Sequence, residues 1–304
     1  MSNKHRSKLQ EMDSSLKTRI CNQIFKVKVD IQSASENDAS FTLDYEDGRY
    51  RQNELVGLIR DAVPFFALTE DEIATIDKSD WNRNSFTRIS DANRKSKGDY
   101  GELLLFLILS IFYDIPKFVT KARLRSTTRE QIKGFDCAHF SISNSKVTLW
   151  LGEAKFHQNI SGAISSALKS IKEHLNDSER IKSELRLLGG EIELNKQLEN
   201  EKYELLKSYV TGGRSLNKVD IAVPVLCTYD SKCIKEFSGD IDSDIDSDDF
   251  KEKIGLELEE NFKKIYSKSW PKRSNIKIVF FIVPLESVSD LKESIELVEN
   301  AMKF

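Results

Sequence analysis

Lys133-Gly134-Phe135-Asp136, followed by Leu151-Gly152-Glu153-Ala154-Lys155, is the stretch on which the fold turns. Two apolar runs, 135–142 and 147–152, predict neighbouring buried strands joined by the polar turn Ser143-Asn144-Ser145-Lys146. Side chains alternate faces along a strand, so Glu153 and Lys155 point the same way, roughly 7 Å apart along the backbone. In an antiparallel hairpin the start of the first strand lies beside the end of the second, which brings Asp136 to the same edge of the sheet. Two carboxylates and an ammonium at the ends of apolar strands are costly to bury without compensation. Hard oxygen ligands suit Mg²⁺ or Mn²⁺, and a nearby lysine positions or polarises an attacking water. Phosphodiester hydrolysis is the chemistry this arrangement suits; a purely structural ion-pair cluster would carry the same residues.

The chain has 304 residues, enough for one elaborated domain or a domain with a smaller companion. Hydrophobic residues at 39% and charged residues at 31% describe a charge-rich globular protein rather than a disordered one. A net charge of −3 excludes a general polycation coating nucleic acid. The charge is unevenly spread: residues 81–133 hold eleven Lys/Arg against five Asp/Glu, and residues 236–260 hold eleven acids against two lysines. The first segment reads equally as a DNA- or RNA-steering surface or as a solvated charged face. Cys21, Cys137, Cys227 and Cys233 form no CxxC pair and read as free thiols of a reducing compartment. No apolar signal core follows Met1, and the longest apolar stretch, Leu103–Ile111, is too short to span a bilayer, so a cytoplasmic protein without membrane contact is expected.

Along the chain, residues 1–19 are polar and predict a loosely held segment, 20–29 alternate like a strand, and Phe41–Tyr45 predicts another, turning at Glu46-Asp47-Gly48. A helix is expected over 52–62, with Pro64 just past its end, and a short acidic helix over 70–77. Residues 1–95 are taken as an N-terminal α+β module, with the boundary in the polar stretch 90–98, and 96–304 as the second domain. Within it, Leu103–Leu109 is apolar all round and predicts a buried helix. Glu102 stands in line with Phe106 and Leu109 at i+4 and i+7, so it lies on an inward stripe at the helix N-terminus, where the dipole favours a carboxylate. Simple placement of an acid at a helix start accounts for it equally. Lys117–Leu124 predicts a strand with Lys121, Arg123 and Arg125 on one face, either an exposed edge or a phosphate-facing ridge. Ile160, Ile164, Ala167, Leu168, Ile171 and Leu175 mark an amphipathic helix capped by Asn159 or Ser161. A helical insertion over about 178–210, strands at Val219–Tyr229 and Ile276–Leu285, an acidic loop over about 238–250 and a final helix from Asp290 to Met302 complete an α/β sandwich around a mixed sheet.

This arrangement resembles the PD-(D/E)XK nuclease superfamily, whose core is helix, three strands, helix, strand. Asp136 matches the aspartate, Glu153 the second acid, Lys155 the lysine and Glu102 the acid often found on the first helix; Phe135 stands where the nominal signature has proline. More narrowly, Gly101-Glu102-Leu103-Leu104, Lys133-Gly134-Phe135-Asp136 and Leu149-Trp150-Leu151-Gly152-Glu153-Ala154-Lys155-Phe156 are similar to the HamA proteins, the nuclease subunits of Hachiman antiphage defence systems. The similarity covers roughly residues 98–175. It implies a Mg²⁺-dependent deoxyribonuclease with little sequence preference, Mn²⁺ substituting. Asp136, Glu153 and the Ala154 carbonyl would hold the ion, Glu102 would support them, and Lys155 would orient the water. Lys121, Arg123, Arg125 and Lys133 would meet the DNA backbone, and a HamB-like superfamily-2 helicase would be the partner that restrains and directs the site. An RNase, or a non-catalytic subunit that binds helicase and nucleic acid, remains open.

Other polar groups carry less. His139 and His157 flank the motif strands; His157, just after Lys155, could touch a scissile phosphate, but an ordinary surface or hydrogen-bonded histidine is the favoured reading. The run Asp240–Asp248 invites a calcium-loop reading, but with Asp240 at position 1 the sixth residue is Ile245 rather than Gly and the twelfth is Lys251 rather than Glu. A solvated acidic loop fits better; it and the N-terminal module are the candidate surfaces for docking a partner, and the loop could also hold the nuclease off DNA. There is no P-loop, zinc spacing or Gly-rich dinucleotide motif.

Overall fold

The computed structural model describes residues 14–27, 37–90, 99–115, 117–120, 135–143, 146–176, 204, 208 and 220–303. Lys121, Arg123, Arg125, Lys133, residues 91–98 of the expected boundary and nearly all of the expected 178–210 insertion lie outside them.

The strands are β1 (Phe25–Val27), β2 (Ala39–Thr42), β3 (Tyr45–Glu46), β4 (Arg49–Tyr50), β5 (Lys117–Thr120), β6 (Cys137–Ser143), β7 (Lys146–Phe156), β8 (Asp220–Asp230) and β9 (Ile276–Leu285). The helices are α1 (Ser14–Cys21), α2 (Gln52–Ala67), α3 (Glu70–Thr75), α4 (Trp81–Ser90), α5 (Asp99–Phe112), α6 (Ile160–Asn176), α7 (Lys232–Phe237), α8 (Asp248–Tyr266) and α9 (Val288–Met302). Among the described residues, seven strands form one mixed sheet in the order β1-β2-β9-β8-β7-β6-β5, and β3 and β4 make a separate hairpin. β5, β6 and β7 are antiparallel neighbours; β7, β8, β9 and β2 run parallel. From α5 onward the described elements therefore begin helix, three strands, helix, strand.

The sheet is covered on both faces, which is why its central strands are apolar on alternate and intervening positions alike. Along β8 every residue from Ile221 to Tyr229 is buried. On β7, Gly152, Ala154 and Phe156 face α5, since a Cβ built on Gly101 would lie 3.2 Å from Ala154 Cβ and 3.4 Å from Phe156 Cβ. Glu153 faces α6 instead, so α5 and α6 flank opposite faces. α2 packs on α4, α5 and α9, with Phe66 against Phe106 at 5.8 Å, and α8 packs beside α6. α6 is set close to the strands by the buried small residues Ala163 and Ala167, and Asn159 starts it by accepting the Gly162 N–H at 3.1 Å.

Several local expectations need correction. Residues 14–21, expected loose or extended, form α1, anchored by buried Leu16 and Ile20 one turn apart. α2 does not stop before Pro64 but runs on to Ala67. Proline costs a helix interior one hydrogen bond, and here the burial of Phe66, Ala67 and Leu68 offsets it. The segment expected as a separate module gives β1 and β2 to the same sheet, β2 lying parallel to β9, and its buried residues belong to one continuous core. The β3–β4 turn uses Asp47 and Gly48 at φ 49° and 70°, and Gly48 also lies against the acidic loop, where an added Cβ would sit 2.8 Å from the Asp240 carbonyl oxygen.

Candidate active site

The site is built where β6 and β7 come together under α5 and α6. The antiparallel register pairs Cys137 with Gly152, so Asp136, one residue before β6, falls beside Glu153 and Ala154. Two bonds fix it there: its N–H donates to the Gly152 carbonyl at 2.9 Å, and its Oδ2 accepts the Ala154 N–H at 2.9 Å. The sequence expectation that the hairpin would bring Asp136 to the Glu153 end of its partner is thus met.

Glu153 is 1% exposed and is held on the α6 face of β7. Its Oε1 accepts from the Lys155 ammonium two residues on, as the strand period requires. Oε2, also buried, lies 3.9 Å from His174 Nε2 and accepts no hydrogen bond among the described residues. Burial raises the Glu153 carboxyl above the ordinary carboxylate range, the Asp136 charge adds to that rise, and Lys155 opposes it. Glu102, 3% exposed, comes from the first turn of α5 on the other face. It lies near enough to Cys137 to push that thiol up together with Asp136 and Glu153, after burial itself. The structure thus gathers Asp136, Glu153, Lys155 and Glu102 around one end of β7.

Glycine makes this convergence possible. A Cβ on Gly152 would stand 2.5 Å from Cys137 Sγ and 2.7 Å from Leu105 Cδ2, so only glycine lets α5 and β6 close on β7 immediately before Glu153. Cys227, paired with Lys155 across β7 and β8, is pushed up to about 12 by burial, so both buried thiols beside the site are inert. Cys21 alone of the four cysteines is exposed.

Of the two histidines singled out in the sequence, His139 is fully buried on the α5 face, stacked at 26° on Phe106. His157 lies just past β7, its pKa lowered by burial and by the charges of Lys292 and Lys155. Sequence reasoning missed His174. Its signal was available: a histidine three residues after Ile171, on the apolar stripe of α6, is a polar group facing the sheet. The acidic loop turns its carboxylates onto its own backbone, Asp240 accepting from the Asp242 N–H and Asp244 from the Asp246 N–H. Among the described residues no three Asp, Glu, His or Cys side chains converge in metal-binding geometry, here or in that loop.

A family model for HamA matches residues 19–296. The chain belongs to the HamA family. The match runs from the end of α1 through the N-terminal strands and the site-bearing hairpin, so it covers far more than the motif residues alone. HamA membership associates the chain with Hachiman antiphage defence. No curated protein matches it in sequence. Among the described residues no helix is long and apolar enough to cross a membrane.

Proposed function

We propose that this HamA-family chain is a metal-dependent nuclease of PD-(D/E)XK type, cutting DNA with little sequence preference as the effector of an antiphage system and acting with a superfamily-2 helicase. The observation that carries the reading is the state of Glu153: a fully buried carboxylate, one oxygen on Lys155 and the other without a hydrogen bond among the described residues, beside the carboxylate of Asp136. Leaving such an oxygen unmatched in the interior costs about 1–3 kcal/mol. A site that holds a cation is a reason to bear that cost.

The donor set fits Mg²⁺ or Mn²⁺. Mg²⁺ is commonly held through one or two carboxylates with water filling the remaining positions, so two carboxylates need no third protein side chain. Asp136, Glu153 and the Ala154 carbonyl would hold the ion, which would supply Lewis-acid polarisation of the phosphodiester. The chain's own groups do the rest. Asp136 is locked by the Ala154 N–H, so its carboxylate needs no rearrangement. Lys155 sits on the same face as Glu153, where its ammonium can orient the attacking water and offset charge on the pentacovalent phosphorus. Glu102 supports the ligands from the α5 side. Backbone contact through Lys121, Arg123, Arg125 and Lys133 would make binding salt-sensitive.

The test is plasmid degradation with Mg²⁺, Mn²⁺ or EDTA, comparing wild type with Glu153→Ala/Lys155→Ala, with and without the helicase and ATP, and with an RNA substrate alongside. Metal-dependent cleavage lost in the folded double variant supports the nuclease. Identical inactivity of both proteins under every condition leaves a helicase- and nucleic-acid-binding subunit, with the ion pair purely structural. Cleavage of RNA alone reassigns the substrate.

A further inference from the structure

The Glu153 carboxylate is approached from two elements. Lys155 takes Oε1 from along the strand. From across the layer, α6 brings His174 Nε2 to 3.9 Å from Oε2, facing it without a hydrogen bond between them. His174 is 4% exposed, and its ring stacks on Phe135 with centroids 4.6 Å apart and planes at 27°. Phe135 is the residue that leads into Asp136, so the ring is held flat against the entry to the site. Buried Ile171 and Leu175 fix the same turn of α6 in the core. A histidine on an otherwise apolar buried stripe is costly, and a carboxylate in front of it helps to offset that cost.

We propose that His174 is a positioning residue that holds the Glu153 carboxylate in the orientation required to bind a divalent cation; this rests on the metal-dependent reading above. Lys155 draws the carboxylate along the strand, and His174 opposes that pull from the helix. Without His174 the pull is one-sided and the carboxylate turns toward the lysine. Groups that orient a metal's ligands from behind typically change metal affinity by about 10–100-fold when removed.

The test titrates the full-length chain with Mn²⁺ followed by electron paramagnetic resonance, without nucleic acid, with circular dichroism to verify folding. Wild type is compared with Glu153→Gln, His174→Leu, His174→Asn and His174→Gln. His174→Leu and His174→Asn (polar, but too short to reach Glu153) should each weaken Mn²⁺ binding by about 10–100-fold. His174→Gln, which restores a donor at longer reach, should recover part of that loss. If Glu153→Gln loses Mn²⁺ while both short variants bind like wild type, the positioning role is overturned and the metal site stands. If His174→Leu does not fold, His174→Asn decides alone by the same criterion. If wild type binds no Mn²⁺, or Glu153→Gln binds as tightly as wild type, the metal site falls and the positioning role falls with it.

Discussion

Gly152→Ala probes the tightest glycine contact among the described residues, one residue from the candidate metal ligand Glu153. The added methyl carbon would stand 2.5 Å from Cys137 Sγ and 2.7 Å from Leu105 Cδ2, against an optimal separation of about 3.5–4.0 Å. The sulfur sits one torsion from the β6 backbone, so relief requires the strand or α5 to move. Such overpacking costs about 1–3 kcal/mol, reduced by about 0.5–1 kcal/mol because alanine loses less backbone entropy in a strand than glycine. The net expectation is a destabilisation of about 1–2 kcal/mol, read as a lower urea midpoint at unchanged slope. Cys137→Ala removes the nearer clash, leaving the movable end of Leu105. The double variant should therefore be more stable than the sum of the singles by about 1 kcal/mol. Additivity within about 0.5 kcal/mol would refute this packing, and with it the account of how α5 is pressed onto the site.

Other perturbations should behave as follows. Asp136→Asn keeps an oxygen for the Ala154 N–H, so the melting temperature should hold while Mn²⁺ affinity falls by more than the about 100-fold expected for a residue behind the ligands; a wild-type titration curve would remove Asp136 from the donor set. Glu72 forms a capping box with Thr69 and a two-pronged pair with Arg88 at 2.6 and 2.8 Å, and the Arg88 hydrogen bonds bring its pKa down to about 2. A lowered folded-state pKa stabilises above the unfolded carboxylate value of about 4.3, and this contribution drains away as pH falls toward 2. Arg88→Met should accordingly flatten the pH dependence of the urea midpoint in that window and leave a constant loss above it. Glu257 accepts from the Tyr229 hydroxyl at 2.7 Å, the Ser231 hydroxyl at 2.6 Å and the Cys233 N–H at 2.9 Å, tying α8 to the end of β8 and the start of α7. Glu257→Ala strands these donors and should cost about 3 kcal/mol in urea denaturation, without changing Mn²⁺ affinity.

The hairpin that carries the site was legible because its two signals agree. A continuous apolar run names a strand buried on both faces, and charges two residues apart on such a strand must share a face. Glu102 was legible for a similar reason, as a charge on the inward stripe at the head of an apolar helix. α1 was not, because its burial rests on Leu16 and Ile20 alone, too few apolar positions for a helical period to emerge from polar neighbours. The continuation of α2 past Pro64 is a tertiary effect: Phe66 finds Phe106, and nothing local announces that contact. β2 as a neighbour of β9 could not be read at all, since the pairing of residues 39–40 with 281–282 depends on the whole intervening chain. His174 lies between these cases: the helix follows from its apolar period, but what a polar residue on the inner stripe faces is set by β7 across the layer.

That β2–β9 pairing also sets the order in which the protein can be completed. Ala39 and Ser40 lie against Phe281 and Ile282, and the Ser40 hydroxyl donates to the Ile282 carbonyl. During synthesis the earliest strands must wait until a segment some 240 residues later has emerged before their side of the sheet has a neighbour. The hairpin bearing Asp136, Glu153 and Lys155 emerges well before then, but β8 and β9, against which it is braced, do not. The ribosome therefore releases a chain whose sheet closes last at its oldest strand, and a truncated product cannot reproduce the braced site.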